Sequence, residues 1–387
     1  MPYQRIYLDE SVLDAARARV RWVYREFPHV YVSISGGKDS TVILNLALDA
    51  AAELGRLPVP VLFLDQEAEW QHVIDHIRAV MADPRVSPRW LQVPFRLFNA
   101  TSTSEPWLHC WEPGAQWIRP KEPGALTRNV YGTDRFKQMF AAFTRYHHPA
   151  APVATLVGTR AEESPARGLA LTTSETYRGV TWGITHDRAR QHFAFCPIYD
   201  WTMSDVWKAI HDHGWPYTKL YDLMYQYGVP LKDMRVSNVH HETATRHLTY
   251  LQEIEPETWD TITRRIGGLQ TVGQMREDFY GPRTLPPMFA DWREYRDYLL
   301  AHLVTDPAMR AAFAHHFALH AKHYANDDDA TRVELWKFEV QAILVNDFEG
   351  TKYRSFTVRH MTEDYRQRRD ARRRAKGQAT ATTAETV

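Results

Sequence analysis

Cysteine is scarce in this chain: 387 residues contain only Cys110 and Cys196. Two isolated thiols are too few for a thiolate-ligated iron–sulfur cluster or a four-cysteine zinc site within one chain, so no iron–sulfur cluster is expected. Both read as buried thiols, and a disulfide between them is not expected in a reducing compartment. Long apolar runs are also missing, none approaching the roughly 18 residues that span a bilayer, so no membrane partner is expected. Residues Met1 to Glu10 lack the basic-then-apolar pattern of a signal peptide, which points to a cytoplasmic location. Excess charge of one sign is absent too: 47 Lys and Arg balance 47 Asp and Glu, leaving no overall field to draw in nucleic acid or membrane. Histidine is plentiful, with adjacent pairs at His147-His148, His240-His241 and His315-His316. Neighbouring helical residues point about 100° apart, so these pairs read as surface or core histidines rather than metal clamps.

What is present is sharper. Ser35-Gly36-Gly37-Lys38-Asp39-Ser40 lies between an apolar run, Val30 to Ile34, and a helical pattern that puts Val42, Ile43, Leu46, Ala47 and Ala50 on one face. Two glycines allow close approach of backbone to an anion, and the following helix directs unpaired N–H groups and its positive end toward it. Lys38 adds a point charge, and Ser35, Ser40 and Thr41 add hydroxyls. The order is not that of the Walker loop, which needs four residues between its first Gly and Gly-Lys-Ser/Thr.

Around this loop the chain alternates strand and helix. Ser11 to Phe27 reads as an amphipathic helix, and Pro60 to Asp65 as a buried parallel strand with Asp65 at its carboxyl end. Ligands bind beyond the carboxyl ends of such strands, so Asp65, Gln66, Glu67 and Glu69 are expected in the crevice with Lys38. A helix over 69–81 and a short strand over 91–95 follow. Residues 99–133 show no period, and their Trp107, Trp111 and Trp117 read equally as an acceptor-binding cover or as an insertion packed on the core. A helix from Thr133 to His147 leads to a strand, Val153 to Val157, and then to Gly158-Thr159-Arg160-Ala161-Glu162-Glu163-Ser164-Pro165-Ala166-Arg167. Gly158 permits the turn, and Arg160 and Arg167 supply fork-shaped donors for phosphate oxygens. Thr202 or Ser204 is placed to cap a helix over Asp205 to His213, anchored to the sheet by Trp201 and Trp207. Beyond Leu285 only helices are expected: one opened by Asp306-Pro307 with Met309, Phe313, Phe317 and His320 on one face, and another over Thr331 to Asn346. Arg366 to Lys376 is a basic stretch before a polar tail, and it reads equally as a DNA or RNA contact or as a solvated, fraying helix end.

Ser35 to Ser40 resembles the pyrophosphate loop of the N-type ATP pyrophosphatases, a group that includes phosphoadenylylsulfate (PAPS) reductases and the small subunit of ATP sulfurylase. Gly158 to Ser164 and Cys196-Pro197-Ile198-Tyr199-Asp200-Trp201-Thr202 through Trp207 resemble further segments of the PAPS reductase group. Leu220 to Tyr225, Gly228 to Ser237 and Ile254 to Trp259 are similar to an IbrA-type subgroup, described as accessory or regulatory and encoded beside a ParB-like protein. The resemblance covers about residues 10 to 270. It implies an α/β fold, an open, mostly parallel doubly wound sheet of the adenine nucleotide alpha hydrolase-like type, with a C-terminal helical extension. The corresponding domain expectation is a PP-loop domain over 1–270, a helical extension over 271–363 and a basic tail over 364–387.

The implied activity is cleavage of ATP, or a related adenine nucleotide, between its α- and β-phosphates to adenylylate an acceptor. Gly36, Gly37 and Lys38 would hold the departing pyrophosphate, and Asp39 with Asp65 would bind Mg2+. Arg160 and Arg167 would clamp phosphate or acceptor oxygens. Ser33, Ile34, Phe63 and Leu64 would flank adenine, with Ser35, Ser40, Gly158, Thr159, Glu163 and Ser164 completing the nucleotide contacts. PAPS reduction fits poorly, because its thiol lies near the C-terminus in a Glu-Cys-Gly-x-His-type motif and this chain has no cysteine after Cys196. The competing class is a nucleotide-dependent regulatory or defence module that works with a ParB-like partner and DNA. The sequence names neither the acceptor nor the oligomeric state.

Overall fold

The computed structural model describes residues 8–99, 107–173, 175–236, 248–266, 284–325, 328–344 and 347. The basic stretch Arg366 to Lys376, His240-His241, Ser237 and Asn346 lie outside them. Among the described residues, eight strands form two sheets: β1 (His29–Ser33), β2 (Val59–Leu64), β3 (Val86–Leu91), β4 (Phe95–Phe98), β5 (Trp107–Cys110), β6 (Val153–Leu156), β7 (Gly183–Asp187) and β8 (His192–Phe195). The main sheet runs β3-β2-β1-β6-β8-β7, and β4 pairs with β5 as a separate antiparallel hairpin. All neighbours in the main sheet are parallel except β7, which runs against β8.

Central strands covered on both faces must be apolar throughout. Val30, Tyr31 and Val32 of β1 and all four residues of β6 are buried accordingly. The covering helices include α1 (Val12–Glu26), α2 (Lys38–Glu53) and α3 (Gln71–Met81). In α1, Ser11 caps the helix by accepting from the Asp14 amide at 3.1 Å, and Ala16, Val20 and Val23 are buried. Arg19, on the same stripe, forms a bidentate pair with Asp200 at 2.8 and 2.7 Å. Eleven of the 16 residues of α2 are buried, Lys38, Ser40 and Thr41 of its start among them. The helix α3 has no side-chain cap of its own. Glu255 supplies one from far along the chain, accepting from the amides of Gln71 at 2.7 Å and His72 at 3.0 Å.

Further along come α4 (Phe136–His147), α5 (Pro165–Thr172), α6 (Met203–His213), α7 (Leu220–Tyr227), α8 (Leu248–Ile254) and α9 (Pro256–Arg265). Thr202 caps α6 in a reciprocal box with Asp205. Trp201 is buried and donates to Val12 O, while Trp207 packs against the main core and stacks edge-on with Tyr217 and Tyr221. A second apolar cluster belongs to α10 (Trp292–His302), α11 (Pro307–His323) and α12 (Asp329–Leu344). Its α11 begins as expected, with Asp306 accepting from the amides of Ala308 and Met309, and Met309, Phe313, Phe317 and His320 are buried. Glu339, 1% exposed, is buried there between Arg296 (2.6 Å) and His320 (3.3 Å). No helix among the described residues is long and apolar enough to cross a membrane.

Two expectations need correction. The strand expected over 91–95 is instead the end of β3 at Leu91, a break over 92–94 and the start of β4 at Phe95, because Gln92 turns inward to bond Asp65 and Pro94 interrupts the ladder. Within 99–133, Trp107 to Cys110 form β5 against β4, so this segment is partly sheet.

Candidate active site

From β1 the chain crosses to β2 on one side and, later, to β6 on the other. The crevice beyond the carboxyl ends of β1 and β6 is therefore a topological switch point, where open parallel sheets take their ligands. A cavity of about 1080 Å3 opens there.

The loop after β1 reaches the cavity through one strained turn. Gly36 has φ +74°, and a Cβ at that position would lie 2.6 Å from Val73 Cγ1, so only glycine fits. The helix α2 then starts after Gly37, which has no side chain to cap it, and Ser40 and Thr41 donate back to Gly37 O at 2.8 and 3.1 Å. Across the crevice, the chain leaving β6 touches this same turn. A Cβ on Gly158 would stand 2.7 to 2.9 Å from backbone atoms of Asp39 and Ser40.

That contact brings three charges together. Arg160 Nε donates to Asp39 Oδ1 at 2.5 Å, and Lys38 Nζ lies 3.1 Å from Asp39 Oδ2. Lys38 is 6% exposed and Arg160 5%. Arg160 is braced further by Glu162 at 3.0 Å, and Arg167 pairs with Glu163. Burial holds the Arg167 guanidinium below its ordinary pKa, with Arg235 adding to the effect.

Of the residues expected here, Ser33, Ile34, Ser35, Gly37, Lys38, Asp39, Ser40, Phe63, Leu64, Gly158, Thr159, Arg160, Glu163 and Arg167 line the cavity. Three do not. Gly36 faces α3, Ser164 caps α5 by accepting from the Arg167 amide, and Asp65 is turned away. Asp65 is fully buried, bonded to Arg119 at 2.5 Å, Trp90 at 2.7 Å and Gln92 at 2.9 Å. Glu67 is likewise buried, held by Arg265 at 2.8 Å and the Trp111 amide at 2.7 Å. Burial pushes the Glu69 carboxyl up to about 8, with the Asp65 charge adding to the shift and Arg119 opposing it. These acids therefore form a buried network behind the crevice, and only Gln66 of that group lines it. Of the three tryptophans, Trp107 lines the cavity, while Trp111 is fully buried and stacks edge-on with Trp117.

Sequence reading missed Tyr221. Its hydroxyl oxygen accepts from the Lys38 amide at 3.1 Å, and its ring lies 5.5 Å from Lys38 Nζ. Burial drives its pKa well up, so the phenol keeps its proton. Neither thiol lines the cavity. Burial raises Cys196 to about 12 and Cys110 well above its ordinary value.

The chain matches the family model described as phosphoadenosine phosphosulfate reductase domain over residues 29–98 and 118–271. It also matches a domain of unknown function, DUF3440, over residues 228–367. It is 31% identical over 315 residues to the uncharacterized protein YbdN of Escherichia coli (strain K12), spanning 78% of this chain and 77% of YbdN. Identity to an adenosine 5′-phosphosulfate reductase of Staphylococcus epidermidis is 22% over 207 residues, 53% of this chain and 71% of that one. Among solved structures, Candida glabrata FMN adenylyltransferase with FMN and the ATP analog AMPCPP aligns at TM-score 0.37 and 13% identity, covering 61% of this chain and 66% of that one. PAPS reductase from Candida auris aligns at TM-score 0.30 and 14% identity, covering 61% and 98%.

Proposed function

This chain belongs to the phosphoadenosine phosphosulfate reductase domain family, and from that premise we propose that it binds ATP in the β1/β6 crevice and transfers AMP to an acceptor, releasing pyrophosphate. The observation that carries the reading is the convergence of Lys38 and Arg160 on Asp39 at the start of α2, facing a cavity large enough for a nucleotide.

In this reading the acceptor attacks the α-phosphorus. Negative charge grows on the oxygen bridging to the β-phosphate, where the amides at the start of α2 would receive it once the Lys38 amide leaves Tyr221, and Lys38 would turn to it from Asp39. Arg160 and Arg167 steady phosphate oxygens from the β6 side. Ser33, Ile34, Phe63 and Leu64 offer the adenine an apolar wall with backbone polar groups between.

A resident magnesium site fits these residues poorly. Asp65 is sequestered, and both oxygens of Asp39 are engaged by cations. Among the described residues no three His, Cys, Asp or Glu side chains group as a metal site. The metal is better read as part of the substrate, entering as Mg·ATP on phosphate oxygens and water. Thiol-based reduction is disfavoured because both cysteines are buried, raised in pKa and away from the cavity.

The test is turnover of α-labelled Mg·ATP by the full chain, with and without DNA. AMP and pyrophosphate are expected, with Lys38→Ala slowing their release by about 100-fold or more, the usual cost of losing one transition-state charge partner. ADP and phosphate would refute the reading. Nucleotide binding without products, altered by DNA, would favour the regulatory module acting with a ParB-like partner that the IbrA-type resemblance implies.

A further inference from the structure

Beyond α7 the chain returns to the phosphate loop, and Leu231, Met234, Arg235 and Val236 line the cavity. The backbone is extended at Met234, with φ −69° and ψ 95°. Successive side chains of an extended chain point to opposite sides. Met234 is accordingly buried in the main core and Val236 packs against it, while Arg235 between them is exposed to the cavity. Two contacts fix this segment against the loop. A Cβ on Gly37 would stand 3.8 Å from Val236 Cβ and 3.3 Å from Tyr221 Oη. The Tyr221 oxygen, which accepts from the Lys38 amide at 3.1 Å, is hydrogen-bonded to the Val236 backbone as well. Tyr221 thus ties the residue after Arg235 to the turn that opens α2.

Charge sets Arg235 apart from the other cations on this side of the cavity. Lys38 and Arg160 are matched by Asp39 and Glu162, and Arg167 by Glu163. Among the described residues Arg235 makes no ion pair. Its electrostatic neighbour is another cation, for Arg235 adds to the burial that lowers the Arg167 pKa. A matched cation must leave its acid before it can serve an anion, whereas an unmatched one that faces a like charge gains at once when an anion enters between them.

We propose that Arg235 holds the β- and γ-phosphates of ATP together with the amides of the α2 turn, and so selects a triphosphate over a monophosphate. The proposal rests on the adenylyl-transfer reading and adds the residue that retains the leaving group. The contact of Val236 with Gly37 assigns Arg235 to the pyrophosphate end of the nucleotide, away from the wall of Ser33, Ile34, Phe63 and Leu64 offered to adenine. As the acceptor's bond to the α-phosphorus forms, the bond from that phosphorus to the β-bridging oxygen breaks and its electron pair stays with pyrophosphate. The added negative charge meets the forked donors of Arg235 beside those of Arg167.

The experiment titrates the full chain with AMPCPP, AMP and pyrophosphate by calorimetry in the presence of Mg2+, comparing the parent with Arg235→Gln and Arg235→Lys. Arg235→Gln is expected to weaken AMPCPP and pyrophosphate by about tenfold each, the loss of one charge-assisted contact, and to leave AMP affinity and Tm unchanged, which also reports a folded variant. Arg235→Lys should recover part of that loss, because it restores the charge but not the fork. The inference is overturned if Arg235→Gln binds AMPCPP and pyrophosphate like the parent, if it weakens AMP as much as AMPCPP, or if the parent binds AMP as tightly as AMPCPP. It is equally overturned if Arg235→Gln slows turnover with AMPCPP affinity untouched, which would move the residue to the acceptor. Failure of the parent to bind AMPCPP at all would instead sink the adenylyl-transfer reading beneath it.

Discussion

At the scale of single residues, Tyr221 has the most direct bearing on the loop. Its oxygen holds the Lys38 amide that a phosphate would otherwise receive. Tyr221→Phe removes that acceptor and leaves a buried N–H unpaired, at a cost of about 1–3 kcal/mol to the empty protein. The variant should therefore melt lower than the parent without ligand and gain more from AMPCPP; equal ligand-induced shifts in Tm would show that nucleotide does not compete for this amide. Tyr221 could not be read in the sequence because its role comes from a contact 183 positions away. Ser35 to Ser40 and Gly158 to Arg160 were legible because each motif is contiguous and its geometry is local. Asp65 shows the limit of that logic. Its place at the end of β2 was foreseeable, but the turn of its carboxylate away from the crevice depends on Arg119, contributed by a segment without periodicity.

At the scale of elements, the site depends on how closely the turn after β6 abuts the first turn of α2. Gly158→Ala would drive a methyl group into the backbone of Asp39 and Ser40, a clash no rotamer relieves. We expect a loss of about 1–3 kcal/mol in stability together with weakened AMPCPP binding; titration giving parental affinity would show that the two loops need not touch. Strands β1, β2 and β6 stood out as continuous apolar runs, since burial on both faces leaves no room for polar residues. The β7/β8 pair and the β4/β5 hairpin did not. Three of the five residues of β7 are polar or charged, and β4 and β5 have four residues each, too few for alternation to be distinguished from chance. The buried stripe of α11 was readable because Asp306-Pro307 marks its start and so fixes its phase.

At the scale of the whole molecule, the two edges of the sheet carry opposite chemistry. The carboxyl edge gathers cations, and the amino edge gathers histidines. His29 opens β1 and stacks on His148 at 4.0 Å, while His192 opens β8 in the same register. Burial holds His148 down to about 4, with His29, His147 and His192 adding to the shift, and burial also lowers His29, with Arg56 assisting. A histidine depressed in the folded state favours folding above its ordinary value of 6.5, and that contribution is lost as pH falls toward 4. Thermal melts should show this loss between pH 6.5 and 4, with a shallower slope in His148→Gln; identical slopes would remove the pair from the account. At the opposite edge, Asp39 joins the loop of β1 to the loop of β6 through Arg160 and also holds Lys38, a strap across the crevice. A bare sulfate or chloride that took those cations would strand the carboxylate with nothing in exchange, whereas a polyphosphate arriving with its own divalent ion could compensate it. Entry of a simple anion would thus be opposed by the same carboxylate that a metal-bearing polyphosphate satisfies.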